Sequence, residues 1–210
     1  MSGATFEWNP WFLLLFTSTF FSGLAIKLMD DYLDIPWDTI IGRRTWAAKH
    51  QHAVLPYALM ALCLACLANP FWAVSLFWAS YMLGMRGDLN RALALGLTGW
   101  QEALITGALL YIIIGGSTLV TSVGAVFCIQ SIDDLMDQRL DLASGSSNWA
   151  TKWGKVELSL AVLIALGPLI YFQPTKVVMV MVNYPLINWI LRPQRDEGGK
   201  ASENNFALPL

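Results

Sequence analysis

Seven long apolar stretches constrain this 210-residue chain more than any other feature. They run at about 11–28, 53–68, 70–85, 100–115, 117–132, 156–172 and 175–191. No alternating pattern of the kind a β-strand needs competes with them. Charged residues make up 13% of the chain, about half of the roughly 25% usual in soluble domains. With ten Trp and ten Phe, that deficit predicts an all-α, polytopic membrane bundle of about seven transmembrane helices around a central cavity. Several stretches are shorter than the ~20 residues that cross a hydrocarbon core, so flanking residues extend them or the helices are tilted or interrupted.

Asn69-Pro70, Gly115-Gly116 and Gln173-Pro174 mark tight turns between neighbouring helices. The longer polar stretches are 29–52, 86–99, 133–155 and 192–210. Residues 1–191 read as a single transmembrane domain. Residues 192–210, rich in Gly, Lys, Asn and Glu, read as a disordered cytoplasmic tail. The first apolar run is preceded by one charge, Glu7, and ends in Lys27 and acidic residues. It lacks the basic start and small-residue cleavage site of a signal peptide, which predicts a retained transmembrane helix. Cys63, Cys66 and Cys128 lie within apolar runs. They read as buried small hydrophobes, with no structural disulfide and no zinc site.

One acidic pattern occurs twice. Asp30-Asp31-Tyr-Leu-Asp34-Ile-Pro-Trp-Asp38 and Asp133-Asp134-Leu-Met-Asp137-Gln-Arg-Leu-Asp141 are both D-D-x-x-D-x-x-x-D, and together hold eight of the fifteen acidic residues. On a helix Asp31, Asp34 and Asp38 share one face, as do Asp134, Asp137 and Asp141, with Asp30 and Asp133 beside them. Carboxylates stacked this way repel unless a cation neutralises them. Hard oxygen donors suit Mg²⁺, which is commonly shared with substrate phosphates. Two such clusters facing each other make a clamp for a Mg²⁺-bound diphosphate. Pro36 disfavours a continuous helix through the first copy, and nothing breaks the second.

Charge sorting places the two copies together. With seven spans, twelve basic residues fall on one face: Lys27, Arg43, Arg44, Lys49, Arg86, Arg91, Arg139, Lys152, Lys155, Arg192, Arg195 and Lys200. Lys176 alone falls on the other. The positive-inside rule makes the basic face cytoplasmic, and both acidic motifs lie on it. A helix, an acidic motif and a basic, Gly-containing loop recur at 11–49 and 117–155, with the aspartates a constant 103 residues apart. Such a duplication predicts two copies facing each other across a cavity.

The paired motifs resemble those of the UbiA-type prenyltransferase superfamily of intramembrane enzymes. Its first motif is N-D-x-x-D-x-x-x-D and its second an Asp-rich D-x-x-x-D variant. Asp31, Asp34 and Asp38 match the first, with Asp30 where the family usually has Asn. Asp133 or Asp134, Asp137 and Asp141 match the second. SNWATKWG, residues 147–154, is similar to the family's Thr- and Gly-containing basic segment after motif two, and Arg43-Arg44-Thr45 to the segment after motif one. The family usually has nine transmembrane helices, so the resemblance implies a reduced member in which a homo-oligomer can complete the substrate wall. It also implies that the eight aspartates hold Mg²⁺ and that an isoprenyl diphosphate is ionised and its prenyl chain passed to an acceptor. Arg43, Arg44, Lys49, Arg139, Lys152 and Lys155 would steady the leaving diphosphate. Aromatic faces near the site, at Tyr32, Trp37, Trp46, Tyr81 and Trp100, suit an allylic cation, although belt or packing roles also suit them.

The loop 86–99, with Arg86, Asp88, Asn90 and Arg91, reads as a solvated connector or a cover for the diphosphate. His50 and His52 read as interfacial residues. A terpene cyclase of the same superfamily begins with the same ionisation and is not separated by the motifs. A cation transporter needs carboxylates near the bilayer midplane, and these lie at helix ends. A CDP-alcohol phosphotransferase needs D-G-x-x-A-R, which is missing. The pattern implies a lipid bilayer and a phosphorylated lipid as partners, and no nucleic acid.

Overall fold

The structure is a computed structural model that describes residues 10–40, 45–84, 92, 94, 96–144 and 148–191. The side chains of residues 37, 38, 40 and 139–144 lie outside that description. Among the described residues ten helices run in chain order: α1 Pro10–Leu33, α2 Ile35–Ile40, α3 Trp46–Lys49, α4 Gln51–Ala68, α5 Pro70–Gly84, α6 Gly99–Ile114, α7 Gly116–Ser144, α8 Trp149–Trp153, α9 Lys155–Phe172 and α10 Pro174–Ile190. The fold is all-α, with no strand among the described residues. An isolated β-bridge joins Ala92 and Thr98.

Each of the seven apolar stretches coincides, apart from terminal residues, with one of the long helices. Among the described residues, four helical segments are long and apolar enough to cross a membrane: Pro10–Leu33, Gln51–Ala68, Gly116–Gln138 and Lys155–Phe172. Helices α5, α6 and α10 are shorter, at 15, 16 and 17 residues. The three expected turns are single-residue junctions. Asn69 separates α4 from α5, Gly115 separates α6 from α7, and Gln173 separates α9 from α10. Gly115 has φ 92°, a left-handed conformation that costs other residues free energy. Proline at the first position of α5 and α10 suits a helix start, where its missing N–H is not needed.

Helix α1 packs on α4, α5 and α10, and α7 packs on α5, α9 and α10. The order α1–α5–α7–α10 therefore closes a four-helix ring, with α4 against the outside of α1 and α9 against the outside of α7. The two acidic helices make at most slight contact, because α5 and α10 stand between them. Much of the ring's interior is closed by bonded polar side chains. Ser122 Oγ of α7 donates to Ser75 Oγ of α5 at 2.7 Å, and Asn183 Nδ2 of α10 donates to Thr19 Oγ1 of α1 at 2.8 Å. In an apolar surrounding such bonds replace the hydrophobic effect as the interhelical contact. At Gly23 an added Cβ would lie 2.7 Å from Ile187 Cδ1, so α1 and α10 approach closely there.

The repeat reaches further than its aspartates. Ser18, Thr19, Ser22, Ala25 and Leu28 of α1 are buried. So are Thr121, Ser122, Ala125, Cys128 and Ser131 of α7, each 103 residues on. Val54, Ala58 and Ala65 of α4 pair in the same way with Leu158, Val162 and Leu169 of α9, now 104 residues apart. The short helices α3 and α8 also correspond. Thr45-Trp46-Ala47-x-Lys49 aligns with Asn148-Trp149-Ala150-x-Lys152, and both alanines are fully buried. The three cysteines are free thiols.

Candidate functional site

The acidic motifs lie at one end of the bundle, and the single-residue junctions at the other. Ser18 Oγ, in the first half of α1, reaches Asn69 O at 3.0 Å. Gln173 Oε1 accepts from Thr121 Oγ1 at 3.0 Å. Both contacts fix the opposite end. At the acidic end α1 stops at Leu33, and α2 begins at Ile35 with Pro36 in its first turn. Asp34 occupies the break, and its N–H still bonds Asp30 O at 3.1 Å. The kink expected from Pro36 is present. In the second copy α7 runs unbroken past Asp141 to Ser144.

Within the first motif Lys27 Nζ lies 2.9 Å from Asp31 Oδ1, one helical turn away. Lys27 is within electrostatic reach of Asp31, Asp30 and Asp133, and Asp30 is in turn reached by Lys27, Asp34, Asp31 and Asp133. The structure therefore brings carboxylates of both copies into one field, with an ammonium among them. Like charges at this spacing raise one another's energy, and Lys27 offsets part of that repulsion.

The second motif is tied to its surroundings by donors. Tyr184 of α10 donates its hydroxyl proton to Asp133 Oδ1 at 2.5 Å. The Trp149 N–H, at the start of α8, donates to Asp134 Oδ2 at 2.8 Å. Asn148 Nδ2 donates to Asp134 O at 3.1 Å, and its Oδ1 accepts from Thr151 N at 2.7 Å. Asn148 thus caps α8 and locks it to α7. Gln138 Nε2 adds a bond to Ala150 O at 2.8 Å. Thr45 caps α3 in the same manner, accepting from Ala48 N at 3.2 Å.

Among the described residues no three His, Cys, Asp or Glu side chains converge at metal-ligating distance. The backbone of Asp38 and Asp141 is helical, and their side chains lie outside the description, as does that of Arg139. Arg43, Arg44, Arg86, Asp88, Asn90 and Arg91 fall outside the described residues. Lys49 ends α3 and Lys152 lies in α8, both exposed, and exposed Lys155 opens α9. Tyr81 donates its hydroxyl proton to Glu102 Oε2 in the first turn of α6 at 3.3 Å. His50 stacks on Trp46 with ring centroids 4.8 Å apart. Tyr32 and Trp100 are exposed.

Lys176, the one basic residue assigned to the other face, is fully buried. It donates to Thr118 O at 3.0 Å, to Ser75 Oγ at 3.4 Å and to Ser122 Oγ, and its Nζ lies 5.5 Å from the centroid of the Trp72 ring. The exception to the charge sorting is a buried core side chain, not an exposed loop residue.

An apolar cavity of about 340 Å³ flanks the first motif, outside the ring, where α4 and the end of α10 meet α1. Phe21, Leu28, Trp46, Tyr57, Leu64 and Leu191 are among its lining, and it is open along one side, where Tyr57 and Leu64 are exposed.

Lys27 was legible from the sequence, because a residue four before Asp31 faces it on a helix. Tyr184 was not, since its bond to Asp133 spans 51 residues with no local signal. The link from Asn148 to Asp134 was foreshadowed by the shared Trp-Ala-x-Lys, which continues the repeat beyond the aspartates. No protein-family profile, curated protein or solved structure matches the chain.

Proposed function

We propose that this protein is a Mg²⁺-dependent intramembrane prenyltransferase of the UbiA type, acting on an isoprenyl diphosphate at the cytoplasmic face. One observation carries the reading. Two copies of D-D-x-x-D-x-x-x-D come to one end of an all-helical, membrane-compatible bundle, and Asp30, Asp31 and Asp133 share the field of Lys27. Concentrated carboxylates at a bilayer edge are costly and mark function.

All seven long helices cross the bilayer on this reading. The single-residue junctions at Asn69, Gly115 and Gln173 leave no room for a soluble loop, so α5, α6 and α10 return through the membrane. At 1.5 Å per residue they span roughly 23–26 Å, which local thinning accommodates. With Lys176 buried, no basic side chain among the described residues is exposed at the end opposite the motifs, which supports reading the acidic end as the cytoplasmic face.

The donor chemistry fits Mg²⁺, because carboxylate oxygens are hard ligands. Asp31, Asp34 and Asp38 with Asp134, Asp137 and Asp141 would hold it, flanked by Asp30 and Asp133. Bound there, it would supply Lewis-acid stabilisation of the departing diphosphate. The chain's own basic groups add to this. Lys49, Lys152 and Lys155, with Arg43, Arg44 and Arg139, lie close to the motifs in sequence and would pair with phosphate oxygens. The C–O bond of the allylic diphosphate breaks with its electron pair going to the diphosphate. An acceptor nucleophile then bonds to the prenyl carbon and gives up its proton.

Purified protein in lipid nanodiscs, given Mg²⁺ and farnesyl or geranylgeranyl diphosphate with a hydroquinone or aromatic acceptor, should release diphosphate. Asp31→Ala and Asp134→Ala should each abolish release with unchanged helical circular dichroism. Full activity in either variant would sink the reading. A cyclic hydrocarbon or alcohol formed without acceptor would assign the chain to the cyclase branch of the same chemistry.

A further inference from the structure

We propose that this chain pairs with a second copy of itself through α4, the outer ridge of each α4 lying in the open apolar groove of its partner. The inference rests on the membrane-spanning reading above and not on the diphosphate chemistry. Both copies keep one orientation in the bilayer, related by a twofold axis along the membrane normal.

The ridge is the first argument. Val54, Ala58, Ala61 and Ala65 are buried, and through this small inner stripe α4 packs on α1. One position round the helix, Tyr57, Met60, Leu64 and Leu67 fall at i, i+3, i+7 and i+10, the a and d positions of a heptad. All four are exposed, Leu67 by 82%. Tyr57, Met60 and Leu64 are also one wall of the groove, which Phe21 of α1 and Ile190 at the end of α10 help to complete. A ridge and a groove side by side on one surface are what a self-complementary, isologous contact requires.

The repeat is the second, because the ridge belongs to the first half alone. At the α9 positions 104 residues on from the four ridge residues stand Ala161, Ile164, Pro168 and Tyr171. Ala161 and Pro168 remove two of the four knobs. Phe21 likewise corresponds to Gly124, where an added Cβ would lie 2.6 Å from Leu169 of α9. Contact with lipid alone would ask the same of α4 and α9, yet the two differ where the ridge lies.

Cover is the third. Helix α6 lies on the outer face of α5, where Trp78 Nε1 donates to Thr106 Oγ1 at 3.0 Å and a Cβ added at Gly107 would lie 2.6 Å from the Trp78 ring. Helix α10 is the counterpart of α5, since the contact of Ser18 with Asn69 is repeated by Thr121 with Gln173. Val182 and Pro185, 104 residues on from Trp78 and Tyr81, are nevertheless exposed. The chain covers this face on α5 and leaves it bare on α10, the helix that ends at the groove. Helices α4 and α6 both run from the acidic end to the junction end. A twofold partner therefore brings its α4 to the bare flank in the same sense in which α6 covers the other.

The test uses the full chain in phosphatidylcholine vesicles, with Cys63, Cys66 and Cys128 replaced by Ser and one cysteine added. Met60→Cys or Leu64→Cys should give a disulfide-linked dimer on mild oxidation, because paired a and d positions bring Cα atoms within the roughly 4.4–6.8 Å that a disulfide spans. Ile164→Cys, exposed on α9, should stay uncrosslinked. Met60→Trp, too bulky for the seam, should lose the dimer in single-molecule photobleaching of labelled protein, with unchanged helical circular dichroism. If that variant loses helix, the cysteine variants decide. Wild-type protein that bleaches in single steps at every protein-to-lipid ratio overturns the inference and assigns the groove to lipid. Crosslinking at Ile164 equal to that on α4 overturns it too, as does a dimer that neither α4 cysteine traps or that survives Met60→Trp. Each of these results leaves the diphosphate reading standing. Release of the wild-type protein from its membranes by alkaline carbonate removes the membrane reading and this inference with it.

Discussion

The hydroxyl of Tyr184 lies 2.5 Å from Asp133 Oδ1, joining α10 to the second acidic motif. A phenol donating to a carboxylate fixes which oxygen of Asp133 faces the site and which is engaged by the protein. Partners of this kind typically change metal affinity by 10–100-fold when lost. Tyr184→Phe should therefore raise the Mg²⁺ concentration for half-maximal activity about tenfold, with a smaller change in the maximal rate. A variant whose Mg²⁺ dependence matches wild type would show that the bond is only structural.

Lys27 sits among Asp30, Asp31 and Asp133 and offsets their repulsion. In Lys27→Gln those carboxylates lose their resident cation. Thermal stability in the presence of a chelator should fall, and added Mg²⁺ should restore more stability than it gives wild type. Ligand at 100 times its Kd contributes about 2.7 kcal/mol. If melting of both proteins is indifferent to Mg²⁺, the carboxylates do not bind it.

The caps of the repeated short helices differ in what they hold. Thr45 caps α3 by accepting from Ala48 N, whereas Asn148 both caps α8 and donates to Asp134 O. Thr45→Ala should cost about 1 kcal/mol, an ordinary cap loss. Asn148→Ala should cost about 1 kcal/mol more, and should lower activity in proportion because Asp134 is bonded to the same junction. Chemical denaturation of the two variants side by side decides this. Equal losses would mean the bond to Asp134 adds nothing.

Lys176 is buried on neutral acceptors and an aromatic face. Lys176→Ala removes the donor from Ser75, Ser122 and Thr118 and opens a void, so it should destabilise by about 2–4 kcal/mol. Lys176→Met keeps the volume and removes a charge that is costly to bury, and should cost much less. A methionine variant as unstable as the alanine variant would locate the importance of Lys176 in its charge.

Which parts of this were legible in the sequence follows from where the physics is local. The helices at the seven apolar stretches, the junctions at Asn69, Gly115 and Gln173, and the break before Pro36 all depend on residues next to one another in the chain. Relations between helices do not. The constant offset of the aspartates predicts two copies facing each other across a cavity; what fills the space between α1 and α7 is α5, bonded to α7 through Ser75, and α10, bonded to α1 through Asn183. Helices α4 and α9 correspond by burial, Val54 with Leu158 and Ala58 with Val162. Their residues differ, because a lipid-facing helix needs only a small or apolar inner stripe. The short helices α3 and α8 hide in polar stretches, where a single cap and one buried alanine suffice to stop a loop and start a turn.

The ring has a consequence for biogenesis. Its seam between α1 and α10 joins residues as far apart as Phe16 and Asn183, 167 positions along the chain. During synthesis α1 leaves the ribosome long before its partner exists. On the membrane reading proposed above, Gly23 and the Thr19 hydroxyl then wait in the bilayer until α10 arrives. Closure of so distant a contact is a late and slow step. A nascent chain arrested before α10 presents an open, polar-edged groove, which is the form an insertion chaperone or a quality-control protease would meet.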